Sequence, residues 1–300
     1  MAPQIEPRFE ISGTTGVVGV IGDPVEHTMS PAMHNAAARQ LGLDLVYVAF
    51  HVASRDLGDA CRGIRGLGLL GVNVTIPHKV DIVRHLDRVD PLAASIGAVN
   101  TVKNEGGKLA GRNTDAEGVL QALDDAGWSP DGKVAVVFGA GGAARATCFA
   151  LLATVSRLRV VNRTADRGRR LAEHLKKVAE REGHPAEITS HDLDADLKAL
   201  LADADLLVNC TSVGMHPRPE ASVVPAGALH GGLVVFDAVY NPLETRLLRD
   251  AESAGCRTIS GLDMLVNQGA IAFEWWTGRA PDRSVMKAAA LERLTGGRPR

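Results

Sequence analysis

The first part of the chain alternates short apolar runs with segments whose apolar residues recur at a helical period. The apolar runs predict buried strands at 17–22, 45–52 and 71–76. Helical periodicity follows each run, at 30–43, 55–69 and 78–90. The first of these helices is expected to have Ser30 at its N-cap and Pro31 in its first turn. This order of elements predicts a mainly parallel sheet covered by helices.

A hairpin separates this block from a second alternating series. The segments GAVNTV (97–102) and KLAGRNT (108–114) predict two short strands around a glycine-containing turn, and a helix is expected next. Strands and helices then alternate from KVAVVF (133–138) to CRTIS (256–260), and two helices complete the pattern. We therefore expect an α/β protein with two blocks that join near residue 115.

Composition narrows the class of protein. Hydrophobic residues make up 45% and aromatic residues 4%, and the 32 glycines suit α/β units with tight turns better than an all-β sandwich. The formal net charge of -2 indicates neither nucleic acid nor an anionic membrane as a partner. The four cysteines are scattered, with no spacing typical of a metal site, so we expect reduced thiols and no metal. The polar N-terminus MAPQIEPRFE suggests no signal peptide, and we expect a cytoplasmic protein.

A glycine-rich turn predicts a dinucleotide site. The sequence GAGGAA (139–144) fits G-x-G-x-x-A, directly follows an apolar strand and opens a helix. Glycines allow the backbone to approach a pyrophosphate, and the start of the helix supplies free N–H groups. The predicted cofactor-binding residues of this turn are Gly139, Ala140, Gly141, Gly142 and Ala143.

The end of the next strand favours NADP(H) over NAD(H). Asn162 occupies the position where an NAD-binding protein would carry an acidic residue. Arg163 and Arg167 follow, and two guanidinium groups can hold a 2'-phosphate that an acid would repel. Thr164 can cap the following helix and donate its hydroxyl.

Eight short motifs occur along the chain in an order that resembles the shikimate dehydrogenase family. They are Thr28-Met29-Ser30-Pro31, NVTIPHK (73–79), GAVNT (97–101), Asn113-Thr114-Asp115, GAGGAA, NRT-x-x-R (162–167), Tyr240 in VYNPLET and Gln268 in GLDMLVNQGA. The resemblance extends from Val17 to about Arg279.

The resemblance implies a fold and a reaction. It implies an N-terminal substrate domain (1–114, completed by 262–300) that faces a Rossmann NADP-binding domain (115–261) across a cleft. The implied reaction is the reversible, NADPH-dependent reduction of 3-dehydroshikimate to shikimate, a step of chorismate and aromatic amino-acid biosynthesis. The expected partner is thus a small-molecule substrate. We expect the protein itself to be a monomer or a homodimer.

Reduction of a ketone needs a hydride on carbon and a proton on oxygen. A nicotinamide supplies the hydride, so a side chain must supply the proton. Lys79 and Asp115 are the ionisable residues in the matching motifs. The resemblance implies that both act at the reacting hydroxyl, with Lys79 as the acid/base group.

The resemblance also implies which residues bind the substrate and the nicotinamide side of the cofactor. Thr28 and Ser30 match a pair of serines that holds the substrate carboxylate, and threonine at the first position is a departure from that pair. The backbone of Ala238 and Gly261 is implied to contact the cofactor, and the segment TSVGM (211–215) is expected to line the nicotinamide side. The other implied substrate ligands are Asn73, Thr75, Asn100, Tyr240 and Gln268.

Three alternatives remain open at this point. Thr28 slightly favours a quinate/shikimate dehydrogenase with broader use of substrate and cofactor. A methylenetetrahydrofolate dehydrogenase should offer aromatic stacking, for which the N-terminal block has only Phe9, Tyr47 and Phe50. A catalytically silent ligand-sensing module on the same scaffold would be indicated by loss of the lysine or the aspartate, and both are present.

Overall fold

A computed structural model describes residues 10–184 and 186–296, which divide into two compact units. The first unit comprises Met1–Arg88, Thr101–Gly111 and Gly269–Arg300, and the second comprises Val89–Asn100 and Arg112–Gln268. The segment that suggested no signal peptide lies outside the described residues except for Glu10, and so does Phe9. This division follows packing, whereas the predicted substrate and cofactor domains are defined by role and stay a prediction.

The N-terminal part of the chain builds a six-stranded sheet with the order β2-β1-β3-β5-β6-β4. Strand β1 pairs in parallel with β2 and with β3, and β3 pairs antiparallel with β5. The predicted hairpin is confirmed as β5 and β6, joined at Gly106 and Gly107, which both have positive φ. The elements are β1 Gly16–Gly22, α1 Ser30–Gln40, β2 Leu45–His51, α2 Leu57–Gly66, β3 Gly71–Val74, β4 Arg88–Val89, α3 Pro91–Ile96, β5 Thr101–Glu105 and β6 Lys108–Arg112.

The helix predicted over 78–90 is wrong. The chain forms only a short 3-10 helix, Asp81–His85, and then strand β4. The Asp87 N–H donates to the Leu109 carbonyl at 2.9 Å, and the Asp87 carboxylate accepts from the Leu109 N–H at 2.7 Å, so contact with β6 replaces a continued helix. The helix α3, which the sequence analysis did not predict, begins at a local signal: Asp90 accepts a hydrogen bond from the Leu92 N–H, and Pro91 follows it directly.

Several boundaries also differ from prediction, and two of them lie beside candidate site residues. Strand β3 ends at Val74 rather than at Ile76, whose side chain is 57% exposed. Ser30 is the first residue of α1, and Met29 takes the N-cap position assigned to Ser30. The Ser30 N–H instead donates to the Thr28 hydroxyl, 3.3 Å away, so a side chain two residues earlier satisfies it.

The second unit contains a six-stranded parallel sheet with the order β12-β11-β10-β7-β8-β9. Read from β9, this is the strand order 3-2-1-4-5-6 of dinucleotide-binding folds, in which ligands bind where β7 and β10 adjoin. The elements are α4 Asp115–Asp125, β7 Val134–Phe138, α5 Gly142–Leu152, β8 Arg157–Val161, α6 Ala165–Glu182, β9 Glu187–His191, α7 Leu197–Leu201, β10 Leu206–Asn209, β11 Val234–Asp237, α8 Arg246–Ser253, β12 Arg257–Ser260, α9 Gly261–Thr277 and α10 Arg283–Leu294.

The parallel sheet has a hydrophobic core on each face. Along β7, Ala135 and Val137 pack into one core, and Val134, Val136 and Phe138 pack into the other. A strand buried on both faces reads as a continuous apolar run, and this is why KVAVVF was recognisable as a strand. The predicted α/β class, with two sheets rich in parallel strands, is therefore confirmed.

Three features of the described residues concern membrane-spanning helices, metal-binding groups and disulfides. Among residues 10–184 and 186–296, no helix has the length and apolar character that a bilayer-spanning segment requires. Within the same residues, no group of three or more histidine, cysteine or acidic side chains is arranged to hold a metal ion. The cysteines Cys61, Cys148, Cys210 and Cys256 are free thiols.

One buried histidine in the first unit lies among aromatic rings. The His34 ring stacks on Tyr47 with a centroid distance of 4.3 Å and also contacts the rings of Phe273 and Trp276. Neither of its ring nitrogens has a hydrogen-bond partner within the described part of the chain. Burial without an acceptor disfavours the charged ring and lowers the pKa of His34 from 6.5 to about 3.

We expect His34 to make the protein less stable in acid. Below its ordinary pKa the ring binds a proton only in the unfolded chain, so stability should fall as the pH drops from 6.5 toward about 3. The loss due to this one residue should be on the order of 3 kcal/mol by about pH 4. In urea unfolding, His34→Phe should therefore lose less stability than the wild type between about pH 7 and about pH 4. Equal losses in the two proteins would contradict this assignment.

Candidate active site

The turn that carries Lys79 follows β3 and is held by hydrogen bonds on both sides. The Thr75 N–H donates to the Ile21 carbonyl at 3.0 Å, and the His78 N–H donates to the Thr75 carbonyl at 2.9 Å. The buried ring of His78 donates through Nε2 to the Val52 carbonyl at 2.7 Å. Lys79 itself is half-buried. Its backbone is thus fixed by neighbours although no long helix follows.

Asn73 lies on β3 with its side-chain amide oriented by two hydrogen bonds. The Tyr47 hydroxyl donates to Asn73 Oδ1 at 2.8 Å, and Asn73 Nδ2 donates to the Thr101 hydroxyl at 3.1 Å. Sequence reasoning selected Asn73 but missed both partners. Tyr47 and Thr101 come from the two strands that flank β1 and β3, so only the sheet order reveals their contact with Asn73.

Thr28 and Ser30 form the predicted hydroxyl pair at the start of α1. Thr28 Oγ1 donates to Ser30 Oγ at 3.2 Å and accepts from the Ser30 N–H. Ser30 is buried and Thr28 is half-buried. The two hydroxyls lie beside the first turn of a helix, where unpaired N–H groups favour an anion.

A buried polar cluster in the second unit brings together three of the predicted site residues. Asn100 Nδ2 lies 2.9 Å from Asp115 Oδ1 and 3.2 Å from Gln268 Oε1, and it also donates to the Thr114 hydroxyl at 2.9 Å. All of these side chains are less than 9% exposed. Residues separated by as many as 168 positions in the sequence therefore meet at one asparagine amide.

Thr114 is the member of this cluster that sequence reasoning missed. Its N–H donates to Asn100 Oδ1 at 2.7 Å, and its hydroxyl donates to the Gln268 carbonyl at 3.0 Å. Asn113 Oδ1 accepts the N–H of Asp115 at 3.0 Å at the start of α4. Of the adjacent residues in N-T-D, only Asn113 bonds the start of the helix, while the side chains of Thr114 and Asp115 contact Asn100.

The predicted glycine turn joins β7 to α5. Gly139 has φ of +118°, a conformation that L side chains rarely adopt, and its N–H donates to the Val161 carbonyl at 2.8 Å. Gly141 is the N-cap of α5 and no side chain caps the helix. A Cβ placed on Gly141 would have no atom within 4 Å. The space beside Gly141 at the start of α5 is therefore open, as close approach of an anion requires.

The segment after β8 presents two unpaired arginines. Asp166 pairs with Arg169 at 2.9 Å and with Arg170 at 2.8 Å, whereas the exposed Arg163 and Arg167 have no acidic partner among the described residues. Asn162 is half-buried, and its amide donates to the Thr164 carbonyl at 2.8 Å. Thr164 occupies the N-cap of α6, but its hydroxyl makes no capping bond there.

The strand β11 ends beside the start of α9. The Ala238 N–H donates to the Asn209 carbonyl at 2.9 Å. A Cβ on Gly261 would lie 2.5 Å from the Ala238 oxygen, so the two backbones are in direct contact. Tyr240 follows in the same loop and is half-buried. The two positions expected to meet the cofactor through backbone atoms are thus neighbours.

Comparison with known proteins points to one family. Residues 20–102 match the model of the shikimate dehydrogenase substrate binding domain, and residues 261–291 match that of the shikimate 5'-dehydrogenase C-terminal domain. The chain is 48% identical over 287 residues to the shikimate dehydrogenase (NADP(+)) of Moorella thermoacetica, which covers 95% of this chain and 96% of the relative.

Solved structures show the same likeness. The shikimate 5-dehydrogenase of Thermus thermophilus, in complex with NADP(H) and shikimate, is 41% identical with a TM-score of 0.82 and covers 93% of this chain and 100% of that one. The quinate dehydrogenase of Corynebacterium glutamicum, in complex with NAD, is 32% identical with a TM-score of 0.83 and covers 93% of this chain and 99% of that one.

The contact between Gly261 and Ala238 predicts that a single methyl group is not tolerated. In Gly261→Ala the two backbones must separate, and we expect a loss of about 1–3 kcal/mol in the free energy of unfolding. Gly227→Ala is a matched control, because a Cβ there would have no atom within 4 Å. Urea unfolding of both variants tests this, and equal stabilities of the two would contradict the assigned contact.

Proposed function

The chain belongs to the shikimate dehydrogenase family, and on that premise we propose that it catalyses the reversible, NADPH-dependent reduction of 3-dehydroshikimate to shikimate. The observation that carries this proposal is the 48% identity to an NADP-dependent shikimate dehydrogenase over almost the whole of both chains. The enzyme would thereby serve aromatic amino-acid biosynthesis, and its substrate is a small molecule.

The residues of the second unit fit NADP(H). Uncapped N–H groups at the start of α5 suit the diphosphate, and the open space beside Gly141 leaves room for its close approach. Arg145, on the same helix, has a buried Nε atom with no hydrogen-bond partner in the described chain, which adds unpaired positive charge. The unpaired Arg163 and Arg167 suit the 2'-phosphate, with Asn162 and Thr164 beside them.

The chain's own residues must supply everything except the hydride, which comes from bound NADPH. Lys79 is proposed to donate a proton from Nζ to the carbonyl oxygen during reduction and to accept it in the reverse direction. Its hydrogen-bonded turn supports this role, since a fixed backbone limits where the ammonium group can move. Asp115 is proposed to accept a hydrogen bond from a substrate hydroxyl, with Asn100 Nδ2 holding its carboxylate.

The remaining polar residues are proposed to bind the substrate. The hydroxyls of Thr28 and Ser30 at the start of α1 suit its carboxylate. Amides and hydroxyls that are already oriented by neighbours suit its ring hydroxyls, because little freedom is lost on binding. Asn73, Asn100 and Gln268 are oriented in this way, and Thr75 and Tyr240 are proposed to bind the substrate beside them. Ala238 and Gly261 are proposed to meet the cofactor through backbone atoms.

A quinate/shikimate dehydrogenase with broader use of substrate and cofactor is the second candidate. Thr28, in place of the family's serine, favours it, and so does the likeness to a quinate dehydrogenase. Quinate turnover with NAD comparable to shikimate turnover with NADP would establish it. The lack of an acid at position 162 argues against a preference for NAD.

Three further assignments are proposals. We place the enzyme in the cytoplasm, which suits its free thiols. We expect a monomer or homodimer. We assign substrate binding to residues 1–114 with 262–300, and cofactor binding to residues 115–261.

The arginine assignment predicts a cofactor-specific defect. Removing the charge at Arg163 or Arg167 deletes a charge-assisted bond to the 2'-phosphate, so each alanine variant should bind NADPH about 10–100-fold more weakly. Binding of NADH, which has no such phosphate, should be nearly unchanged. Arg170→Ala is the matched control, because that arginine pairs with Asp166. An equal loss with both cofactors in Arg163→Ala would contradict the assignment.

The catalytic assignment predicts a loss of turnover with binding retained. Lys79→Ala should lower kcat by about 10²–10⁴-fold, because water must then donate the proton in place of the lysine ammonium group. Asp115→Asn should also lower turnover, because a neutral amide replaces the acceptor. NADPH binding and the circular dichroism spectrum should be unchanged in both. The control Lys177→Ala removes an exposed lysine of α6 and should have normal turnover. Near-normal kcat in Lys79→Ala would refute the proposed mechanism.

A further inference from the structure

A buried carboxylate in the second unit has no role in the chemistry proposed above. Asp237, the last residue of β11, is 0% exposed. Its Oδ2 accepts from the Thr245 hydroxyl at 2.6 Å. Its Oδ1 accepts from Asn209 Nδ2 at 2.8 Å and from the Val239 N–H at 3.0 Å. All three recorded partners are donors, so the ionised form is the one that satisfies them.

These partners extend into the loop after β10. Asn209, the last residue of β10, accepts through Oδ1 from the N–H and the hydroxyl of Thr211, at 3.0 and 2.7 Å. Its Nδ2 also donates to the Val213 carbonyl at 3.1 Å. The segment TSVGM, expected on the nicotinamide side, therefore takes its conformation from the same amide that contacts Asp237.

The same carboxylate also holds the start of α8 and the loop after β11. Thr245 is the N-cap of α8 and accepts from the Leu248 N–H. The Val239 N–H, bound by Asp237, lies between Ala238 and Tyr240, which are proposed to meet cofactor and substrate. Three chain segments thus depend on a single side chain.

We propose that Asp237 is a positioning residue whose carboxylate holds the loops after β10 and β11 in the arrangement that binds the nicotinamide half of the cofactor. The inference rests on the proposed function, because it takes the loops beside β10 and β11 as the nicotinamide side. The side chain touches neither substrate nor cofactor in this role, and acts through Asn209, Val239 and Thr245.

The environment of Asp237 makes this positioning sensitive to pH. Burial raises the pKa of the carboxyl to about 6, against the opposing effect of Thr245 and the other two donors. None of the charged side chains among the described residues contributes to this shift in the pKa of Asp237. Below that pH one carboxyl oxygen carries a proton and no longer accepts a hydrogen bond from the donor that faces it. The loops then lose one of the hydrogen bonds that hold them.

The effect of Asp237 ionisation on the free energy of unfolding distinguishes a residue that positions the loops from one that only stabilises the fold. A carboxyl whose folded pKa is raised contributes stability at low pH, and this is lost as the pH rises from 3.8 toward about 6. The folded protein is therefore less stable with Asp237 ionised, although the ionised form is the one that holds the loops. Asp237→Asn keeps the shape and removes the charge, so it should melt no lower than the wild type at about pH 8.

The test measures NADPH binding by fluorescence titration between about pH 5 and about pH 8 in the full chain without substrate. Asp237→Asn should bind NADPH on the order of tenfold more weakly at about pH 8, with a higher or equal melting temperature. The 2'-phosphate of NADPH also titrates near about pH 6, and this affects the pH dependence of binding equally in every variant. The test therefore compares the binding profiles of the variants with one another.

Thr245 supplies a matched pair of variants that leaves the carboxylate in place. Thr245→Val removes the donor that lowers the pKa of Asp237, so the acid-side loss of NADPH binding should move to higher pH. Thr245→Ser keeps a hydroxyl and should keep the wild-type profile. Coincident profiles for the two Thr245 variants, or wild-type binding in Asp237→Asn, would overturn the inference.

The same measurements separate this inference from the proposed function. Shifted NADPH profiles together with absent shikimate turnover would refute the proposed reaction and leave the role of Asp237 standing. Normal turnover with coincident profiles would refute the role of Asp237 alone. Absence of NADPH binding in the wild type would overturn both.

Discussion

A buried asparagine amide must find partners for its oxygen and its two N–H bonds, and this requirement shapes the networks around Asn73, Asn100 and Asn209. Asn73 meets it with Tyr47 and Thr101 on neighbouring strands. Asn100 meets it at the start of α4, and Asn209 meets it with Asp237 of β11 and with Thr211 in the loop after β10. An amide left without partners inside the protein would cost about 1–3 kcal/mol, so these networks hold their loops in one arrangement.

The carboxyl ends of the parallel strands explain why Asn209 lies next to the loops that are proposed to bind the cofactor. In a parallel sheet the carboxyl ends lie along one edge, and the chain leaves each strand there without a hairpin to cover it. Asn209 and Asp237 are the last residues of β10 and β11 in the second unit. A polar residue at that point is still aligned by the sheet, yet its partners belong to the loops. The rigid strands therefore set the positions of otherwise flexible segments.

Local rules made part of this structure predictable. The glycine turn and the helix Ala165–Glu182 follow from short signals, namely an apolar strand, glycines without a Cβ and a strongly amphipathic run. The helix over 78–90 was mispredicted because Asp87 pairs with Leu109, a contact between separate segments that local periodicity does not reveal. Thr114 and Asp237 were missed for the same reason, since Gln268 lies 154 residues from Thr114. Their roles emerge only when separate segments meet.

The threonine at position 28 shows how a departure from a family pattern can be weighed physically. Its hydroxyl still donates to Ser30 Oγ and accepts from the Ser30 N–H, so the pair that would face a carboxylate is intact. The added methyl restricts χ1, and this reduces the freedom lost when the hydroxyl binds an anion. The methyl also occupies volume beside the hydroxyl. If Thr28 binds the carboxylate as proposed, its hydroxyl would act as a serine hydroxyl does, and the added methyl group would be the feature that favours one polyol acid over another.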